Sequence, residues 1–439
     1  MAAPVTELDL PELDLRRADG GPNSRVLMSE LAEEGWLVRN PFGYILTRHE
    51  DCRAVLRDGR WHQASRLLAS LNGITDERYL KRQERPSILS MEGEGHDRLR
   101  RLVRSAFTPR AANRVRPFMR QVINGLVDPF AADGRCEFVS QVCEPYPIPI
   151  ICEVLGAPKE DWQQFSDWAT SIFKTFDDDA ALHVDEMVAA GEAIDAYVTD
   201  LIEQRRGDPR DDLLSDLIAA EEEGDRLANW ELIMMVEAVI LAGTDTTRNQ
   251  LACAIATFVD HPEQWALLAE QPELAARATE ESFRYLGAVR GTGRFASTDI
   301  EYRDVLFPQG TLVFPSFTGA NHDVDEFNAP HSFDITADRG GAGHLTLGFG
   351  AHFCMGANLA RAELQEALTV LSGRMPNLRL DGDVEWKPGG VGIWGPSRLP
   401  LAFDPVDPVD PVDQEASVAE EVGDDRGHDR TAVGHPVSN

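Results

Sequence analysis

Residues 347–356 read LGFGAHFCMG, and they lead directly into ANLARAE at residues 357–363. This stretch decides the fold, because it places Cys354 among glycines just before a segment with the pattern of a helix. Glycine lets a backbone turn tightly and approach a flat ligand closely. Free amide groups at such a turn and at a helix start can hydrogen-bond a sulfur anion. The stretch therefore suits a thiolate presented to a metal, although a buried apolar cysteine or a nucleophile fits the same local pattern.

Composition limits the classes to which the chain can belong. It has 439 residues, of which 43% are hydrophobic, and a net charge of −32. Such a chain can bury a large core, and its length fits two or three domains or one large domain built around a cofactor. The strong negative charge disfavours a nucleic-acid partner.

The sequence indicates neither a membrane segment nor a conventional metal cluster. The N-terminus lacks the pattern of a signal peptide, and the longest apolar run, residues 232–243, is too short to span a bilayer. We therefore expect a soluble cytoplasmic protein. The six cysteines form no C-x-x-C pair, which argues against disulfides, zinc and iron–sulfur clusters. If Cys354 binds iron, a porphyrin must supply the other ligands.

Hydrophobic periodicity predicts a mainly helical chain with small sheets. Residues 58–92 look irregular, which is typical of a lid or a pocket wall. We expect a flexible segment over 1–25, one domain over 26–403, and a disordered acidic Asp-Pro-Val repeat tail over 404–439. The predicted elements are a hairpin over 36–47 and helices over 96–107, 230–259, 272–286 and 359–371.

A second motif, AGTDTT at residues 242–247, lies in the longest predicted helix. An acid and a hydroxyl are unusual in the middle of an apolar helix, and threonine there tends to bond back to a carbonyl one turn earlier. The motif could be an exposed helical turn, but the flanking segments look buried on nearly all sides. The pattern therefore disfavours a solvated helix face.

The cysteine stretch resembles the haem-binding loop of cytochromes P450. Gly348, Gly350, His352, Cys354 and Gly356 match that loop, whereas Leu347 stands where the family usually has phenylalanine. The resemblance implies a P450 fold, with haem b between a long distal helix and a proximal loop whose Cys354 ligates the iron.

The AGTDTT motif is similar to the oxygen-binding groove of P450 distal helices. The resemblance implies that Thr246 hydrogen-bonds dioxygen and that Asp245 relays protons, since splitting O–O heterolytically consumes two protons in a dry pocket. It implies that Ala242 and Gly243 line the haem, with Gly243 leaving room for O2.

The resemblance assigns roles to further residues. Glu281 and Arg284 match the E-x-x-R pair, and Ser332 stands where its third partner is usually an arginine, so His331, Arg339 or a water could substitute. His96, Arg100, Arg294 and His352 would bind the haem propionates. Substrate contacts would come from Ala238, Leu241, Val289, Arg290, Ile393 and Trp394. For Arg290 we consider two orientations, one toward an acidic group on the substrate and one outward or toward a propionate.

The function implied is monooxygenation, by hydroxylation or epoxidation, of a lipophilic small molecule such as a steroid, terpenoid, fatty acid or polyketide-like compound. Electrons would come from a ferredoxin and its reductase, with the ferredoxin docking near Arg98, Arg101 and Arg104. Three alternatives remain open at this point: a peroxide-driven peroxygenase, a non-catalytic haem sensor and a cysteine hydrolase.

Overall fold

The structure is a computed structural model that describes residues 2–14, 24–176, 179–222, 227–341, 343–388 and 393–407. Helices dominate these ranges, as the sequence predicts. The α-helices are α1 (Ser24–Glu34), α2 (His49–Arg57), α3 (Leu68–Leu71), α4 (Glu77–Gln83), α5 (Gly93–Val103), α6 (Pro109–Ala131), α7 (Pro147–Leu155), α8 (Trp162–Phe173), α9 (Val184–Gly207), α10 (Leu213–Glu222), α11 (Asn229–Asp260), α12 (Pro262–Glu270), α13 (Ala275–Tyr285), α14 (Phe317–Ala320) and α15 (Ala357–Arg374).

The strands are short and form small sheets. They are β1 (Ala3–Pro4), β2 (Leu37–Asn40), β3 (Gly43–Leu46), β4 (Trp61–Gln63), β5 (Arg135–Glu137), β6 (Arg294–Ala296), β7 (Ile300–Tyr302), β8 (Val305–Phe307), β9 (Leu312–Pro315), β10 (Arg379–Leu380), β11 (Glu385–Trp386), β12 (Pro396–Arg398) and β13 (Pro400–Ala402). The largest sheet has the order β2-β3-β9-β6-β4, and the predicted hairpin is its antiparallel β2–β3 pair. The others are β1-β8-β7, β10-β13-β5 and β11-β12.

The long helix α11 runs through the main core. It packs against α7, α8, α9, α13 and α15, and its buried side chains include Met235, Ile240 and Leu251. The helix is therefore apolar on most sides, so the polar residues at its centre must either pair with each other or face an internal pocket.

Local capping sets the boundary between α5 and α6. The predicted helix over 96–107 is present as α5 followed by a 3-10 turn, Arg104–Phe107. Thr108 then accepts the amide of Ala111 with its hydroxyl, and Pro109 occupies the first turn of α6. A hydroxyl cap followed by proline is a favourable helix start.

Residues 58–92 are more regular than we expected. They contain β4, a 3-10 turn (Ser65–Leu67), α3 and α4. The Asp76 side chain accepts the amides of Arg78 and Tyr79 and so begins α4. These elements are only one or two turns long, which is too short for hydrophobic periodicity to reveal them.

Both predicted domain boundaries differ from the structure. Near the N-terminus, β1 pairs in parallel with β8 and Val5 is completely buried, so residues 2–14 belong to the domain rather than to a loosely packed segment. At the other end, the Val406 amide donates to Ala131 O at 3.1 Å, and Asn377 donates to Asp404 at 2.7 Å. Residues 15–23 and the predicted tail from 408 onward lie outside the described residues.

Candidate active site

The cysteine loop is shaped by its own backbone. Gly348 and Gly350 have φ values of +75° and +72°, in the left-handed region that favours glycine. A Cβ on Gly350 would also lie 2.4 Å from the carbonyl oxygen of Leu56 in α2. The Cys354 amide donates to Leu347 O at 2.8 Å and closes the loop. Both positions therefore require glycine because of their backbone conformation. Position 350 also requires it because a side chain there would collide with α2.

The environment of the Cys354 thiol contains opposing influences. Burial raises its pKa above the ordinary value, whereas the Gly356 amide and the charges of Arg100 and Arg361 act to lower it. The amide contribution that the sequence suggested is present, but burial outweighs it. A cation bound at the sulfur would reverse this balance, because a coordinated thiol is deprotonated.

Leu347 lies in the apolar cover beside the sulfur. It is 9% exposed and packs in a cluster with Phe283, Ala357 and Leu364, against which Cys354 is also packed. The cluster therefore includes an aromatic ring from α13, although position 347 itself is aliphatic. Leucine is sufficient to keep this side of the loop buried.

The residues predicted to bind propionates come together, and we call His96, Arg100, Arg294 and His352 the His–Arg cluster. The rings of His96 and His352 lie 4.5 Å apart. Arg100 donates to Phe353 O at 2.7 Å, next to Cys354. The pKa of His352 is lowered to about 3, first by burial and then by the charges of the other cluster members.

The His–Arg cluster fits an anionic ligand. The Nε2 atom of His96 is buried and has no hydrogen-bond partner among the described residues. Arg294 is 4% exposed, and its hydrogen bonds to the described residues go to neutral acceptors, among them Gln63 at 2.6 Å. Cations buried with neutral partners leave positive charge uncompensated. Carboxylates such as haem propionates would compensate it, so this donor set fits haem.

At the centre of α11, Ala242 and Thr246 lie on a more exposed side of the helix than the side from which a Gly243 side chain would project. Ala242 is exposed and Thr246 is partly exposed, and the Thr246 hydroxyl donates to Ala242 O at 3.0 Å. Gly243 instead faces α7, since a Cβ there would lie 2.9 Å from Ile151. The prediction that Gly243 leaves room for O2 is therefore wrong: its lack of a side chain permits close packing of α11 on α7.

Asp245 is buried and held by two cations. It is 2% exposed, forms an ion pair with Arg248 one turn later, and lies 3.9 Å from the Lys387 ammonium. Arg248 in turn donates to the Thr170 hydroxyl of α8 at 3.1 Å. The carboxylate is thus paired rather than free, and proton transfer from it would require an exchange of partners.

The predicted pair on α13 is present together with its third partner. Arg284 donates two hydrogen bonds to Glu281, both at 2.8 Å. Arg339 also pairs with Glu281, and both arginines donate to Ser332 O at 2.9 Å. Of the alternatives considered for the missing arginine at position 332, Arg339 is therefore the one that the structure supports.

Five of the six predicted substrate contacts lie at partly exposed positions: Ala238, Leu241, Val289, Arg290 and Ile393. Val289 and Ile393 form an antiparallel bridge, which joins the segment after α13 to the segment before β12. Trp394 is only 2% exposed, so its predicted contact with substrate is not supported.

Arg290 and Trp394 instead pack against each other. The Arg290 guanidinium carbon lies 3.5 Å from the centre of the Trp394 ring, which stacks on Trp386 at 4.5 Å. The Arg290 guanidinium therefore covers the indole ring of Trp394 in a cation–π contact. The two predicted contacts of Arg290, with an acidic group of the substrate and with a propionate, both stay predictions.

The arginines predicted to dock a ferredoxin differ in availability. Arg98 forms an ion pair with the buried Glu231 in the first turn of α11, so it holds α5 against that helix. Arg101 and Arg104 are exposed, and neither forms an ion pair with any described residue. The prediction therefore needs correction at Arg98, whose charge is neutralised within the protein.

Three residues of the site were missed by the sequence analysis. Arg248 had a detectable signal, because it follows Asp245 by three residues on a predicted helix. Lys387 had none, since it lies far from Asp245 along the chain. Glu363 also had none: it is fully buried in α15, accepts the Thr247 hydroxyl at 3.2 Å, and has its pKa raised to about 8 by burial.

Comparison with known proteins identifies the family. The family model for cytochrome P450 matches residues 158–371. Nocardicin C N-oxygenase from Nocardia uniformis subsp. tsuyamanensis is 36% identical over 375 residues, which cover 83% of this chain and 92% of that protein. The chain belongs to the cytochrome P450 family.

Further P450 relatives agree in sequence and structure. Mycinamicin IV hydroxylase/epoxidase from Micromonospora griseorubida is also 36% identical, over 83% of this chain and 91% of that protein. The crystal structure of CalO2 matches with a TM-score of 0.83 and 27% identity, covering 90% of this chain and all of that one. The predicted P450 fold is therefore confirmed.

Membership in the P450 family establishes the class of enzyme. The protein is an oxygen-incorporating oxidoreductase, a monooxygenase, and the family cofactor is haem iron. Within the described residues, every helix is too short or too polar to cross a membrane.

Proposed function

We propose that this P450 binds haem b through Cys354 and hydroxylates or epoxidises a lipophilic small molecule. The observation that carries this proposal is the meeting of the cysteine loop and the His–Arg cluster at Phe353, where Arg100 donates to the carbonyl at 2.7 Å. An anion-binding cluster beside a thiol matches a ligand with an iron and two carboxylates.

The proposed roles follow from the chemistry of each side chain. Cys354 would hold the iron through its thiolate, and the His–Arg cluster would hold the propionates. Haem, when bound, supplies the iron that activates dioxygen. Thr246 can turn its hydroxyl from Ala242 O, 3.0 Å away, toward the pocket and donate a hydrogen bond there. Asp245 transfers protons once it exchanges its ion-pair partner.

The substrate class rests on the pocket walls and on the relatives. Ala238, Leu241, Val289 and Ile393 are apolar, so they orient an apolar substrate and exclude water around the reacting carbon. The names of two relatives give a nocardicin and a mycinamicin as the molecules on which they act. We infer that the lipophilic substrate of this chain is a secondary metabolite.

Electrons are proposed to come from an acidic ferredoxin with its reductase. Arg101 and Arg104 are exposed cations on a chain whose net charge is −32, and they follow Arg100, which contacts the loop of Cys354. A local positive surface near the thiolate would steer an acidic donor to the shortest path for electron transfer.

The thiolate assignment is tested by the ferrous–CO spectrum of the purified holoenzyme. We expect the Soret band typical of thiolate ligation in the wild type and its loss in Cys354→Ala. A wild-type spectrum without that band would overturn the proposal. Rates with NADH, ferredoxin and reductase are then compared with rates driven by hydrogen peroxide. Product formed only with peroxide would assign a peroxygenase, and no product with either would leave a haem-binding protein without this activity.

A further inference from the structure

One face of α11 packs directly against the segment that surrounds β11 and β12. Asp245, Asn249 and Cys253 share this face, because they are spaced four residues apart. Asp245 lies 3.9 Å from the Lys387 ammonium. One turn later, a Cβ on Gly395 would lie 3.0 Å from Asn249 Oδ1, and one turn beyond that Cys253 donates to the carbonyl of Trp394 at 3.7 Å. The contact therefore extends over two turns of the helix.

The backbone of Lys387 is held in place from both sides. Its amide donates to Gly395 O at 3.0 Å, and its carbonyl accepts the Trp394 indole N–H, also at 3.0 Å. Trp394 is fixed by its stack on Trp386, with an interplanar angle of 6°, and by the Arg290 guanidinium. The lysine is thus presented to α11 by a packed aromatic support rather than by a loosely held loop.

The same segment reaches the proposed substrate pocket. Ile393 bridges to Val289, and the Trp394 amide donates to Ala288 O at 2.8 Å. Both pairings tie residues 393–395, which precede β12, to the chain after α13. A substrate that contacts Ile393 therefore lies against the same short segment that supports Lys387 through Trp394 and Gly395.

The two cations on Asp245 differ in their exposure to solvent. Arg248 lies on the same helix and donates to Thr170 of α8 at 3.1 Å, and its side chain is 9% exposed. The Lys387 side chain is 31% exposed, against 3% for that of Asp245. A partly solvated ammonium stays charged when the carboxylate turns, because water already contacts it, whereas the guanidinium of Arg248 lies at a buried position.

We propose that Lys387 is a positioning residue for Asp245, and that it links the substrate-facing segment at Ile393 to the supply of protons. This inference rests on the proposed monooxygenase function. A buried carboxylate needs a compensating cation in every position that it occupies. Lys387 supplies that cation as Asp245 turns away from Arg248, so the lysine sets how readily the acid is released toward the pocket.

The decisive variant is Lys387→Met, which keeps the apolar stem and removes the charge, with Lys387→Arg as its charge-conserving partner. In the holoenzyme we measure product formed per NADH consumed and the solvent isotope effect on kcat in D2O. Since a general acid contributes about 10²–10⁴-fold, we expect misplacing it in Lys387→Met to reduce coupling about tenfold and to raise the isotope effect. Lys387→Arg should restore both to within about twofold of the wild type.

Two measurements separate this role from a merely structural one. The circular-dichroism spectrum of the fold and the spectral titration of ferric enzyme with substrate should be nearly unchanged in Lys387→Met. Lys159→Met is the matched control, because Lys159 pairs with Glu153 on the surface, and it should behave as the wild type. Unchanged coupling and isotope effect in Lys387→Met would overturn the proposal, as would a loss that Lys387→Arg does not restore.

A double-mutant cycle tests the contact without turnover. Melting temperatures of Asp245→Asn, Lys387→Met and the double variant are compared, and we expect the double to lose less than the sum of the singles because the two groups interact. Additive losses would contradict the contact even if the enzyme is active. Wild-type enzyme that forms no product would instead contradict the proposed function, so the two failures are distinguishable.

Discussion

The cysteine loop and the centre of α11 both serve the proposed site, but they are held in shape by different means. In the loop, Gly348 and Gly350 adopt positive φ angles, and the backbone amide of Cys354 donates a hydrogen bond to the carbonyl of Leu347, seven residues earlier. In α11, the backbone is an uninterrupted helix. The functional features of this region are side chains that pair with distant parts of the chain. The loop is thus defined by its backbone conformation, whereas the centre of α11 is defined by the residues with which its side chains pair.

This difference predicts which kind of substitution disrupts each region. A loop defined by backbone angles loses its fold when a side chain is added, because few residues adopt those angles. A helix defined by its partners keeps its fold when a half-exposed hydroxyl is removed, but its chemistry changes. Substitutions should therefore separate stability from function across the two regions.

The largest expected effect on stability is that of Gly350→Ala in the loop. Alanine at a φ of +72° is strained, and its Cβ would lie 2.4 Å from Leu56 O. We expect a loss of about 2–4 kcal/mol in the free energy of unfolding, measured by denaturant titration. The matched control is Gly356→Ala, whose φ of −81° and open surroundings tolerate a side chain. Equal losses in both variants would contradict the conformational argument.

The next effect concerns Glu363, which lies between the two regions and accepts the Thr247 hydroxyl of α11. Burial raises its pKa to about 8, above the value of about 4.3 in an unfolded chain. The folded state therefore retains a proton that the unfolded state releases, so stability should fall as the pH rises between these two values. The slope is at most about 1.4 kcal/mol per pH unit.

Glu363→Gln should remove this part of the pH dependence, because glutamine stays neutral and can still accept the Thr247 hydroxyl. The measurement is the free energy of unfolding at about pH 5 and about pH 8 for the wild type and the variant. Glu33→Gln, at an exposed position of α1, serves as the control and should keep the wild-type slope. An unaltered slope in Glu363→Gln would show that this carboxyl is not protonated in the folded protein.

The smallest effect on stability is expected for Thr246→Ala, although its effect on chemistry should be large. Among the described residues, the hydroxyl donates only to Ala242 O of its own helix, so its loss should change stability by less than about 0.5 kcal/mol. Product per NADH should fall, because the pocket loses its hydrogen-bond donor. Thr247→Ala should do the reverse, costing about 1–3 kcal/mol by leaving Glu363 without its hydroxyl donor. Identical stability profiles for these neighbours would remove the distinction between the two regions.

Much of the fold was predictable because its signals are local. The extent of α11 and α15 and the positions of the cysteine loop and of Glu281 and Arg284 follow from periodicity, capping and motif spacing. The elements within residues 58–92 were missed since each is too short to show a period. Gly243 was misread because a glycine in a helix does not reveal which neighbour requires its small size, and here the neighbour is Ile151.

The sequence by itself determined that Cys354 lies in a glycine-shaped loop before a helix, with a polar motif in the middle of a long apolar helix upstream. These facts depend on backbone angles and on residues a few positions apart. Only the tertiary structure decided that Arg339 completes the Glu281 pair, that Trp394 is buried and that Lys387 reaches Asp245. Those contacts join residues that are far apart along the chain, and only the packing of the helices and small sheets brings them within reach of each other.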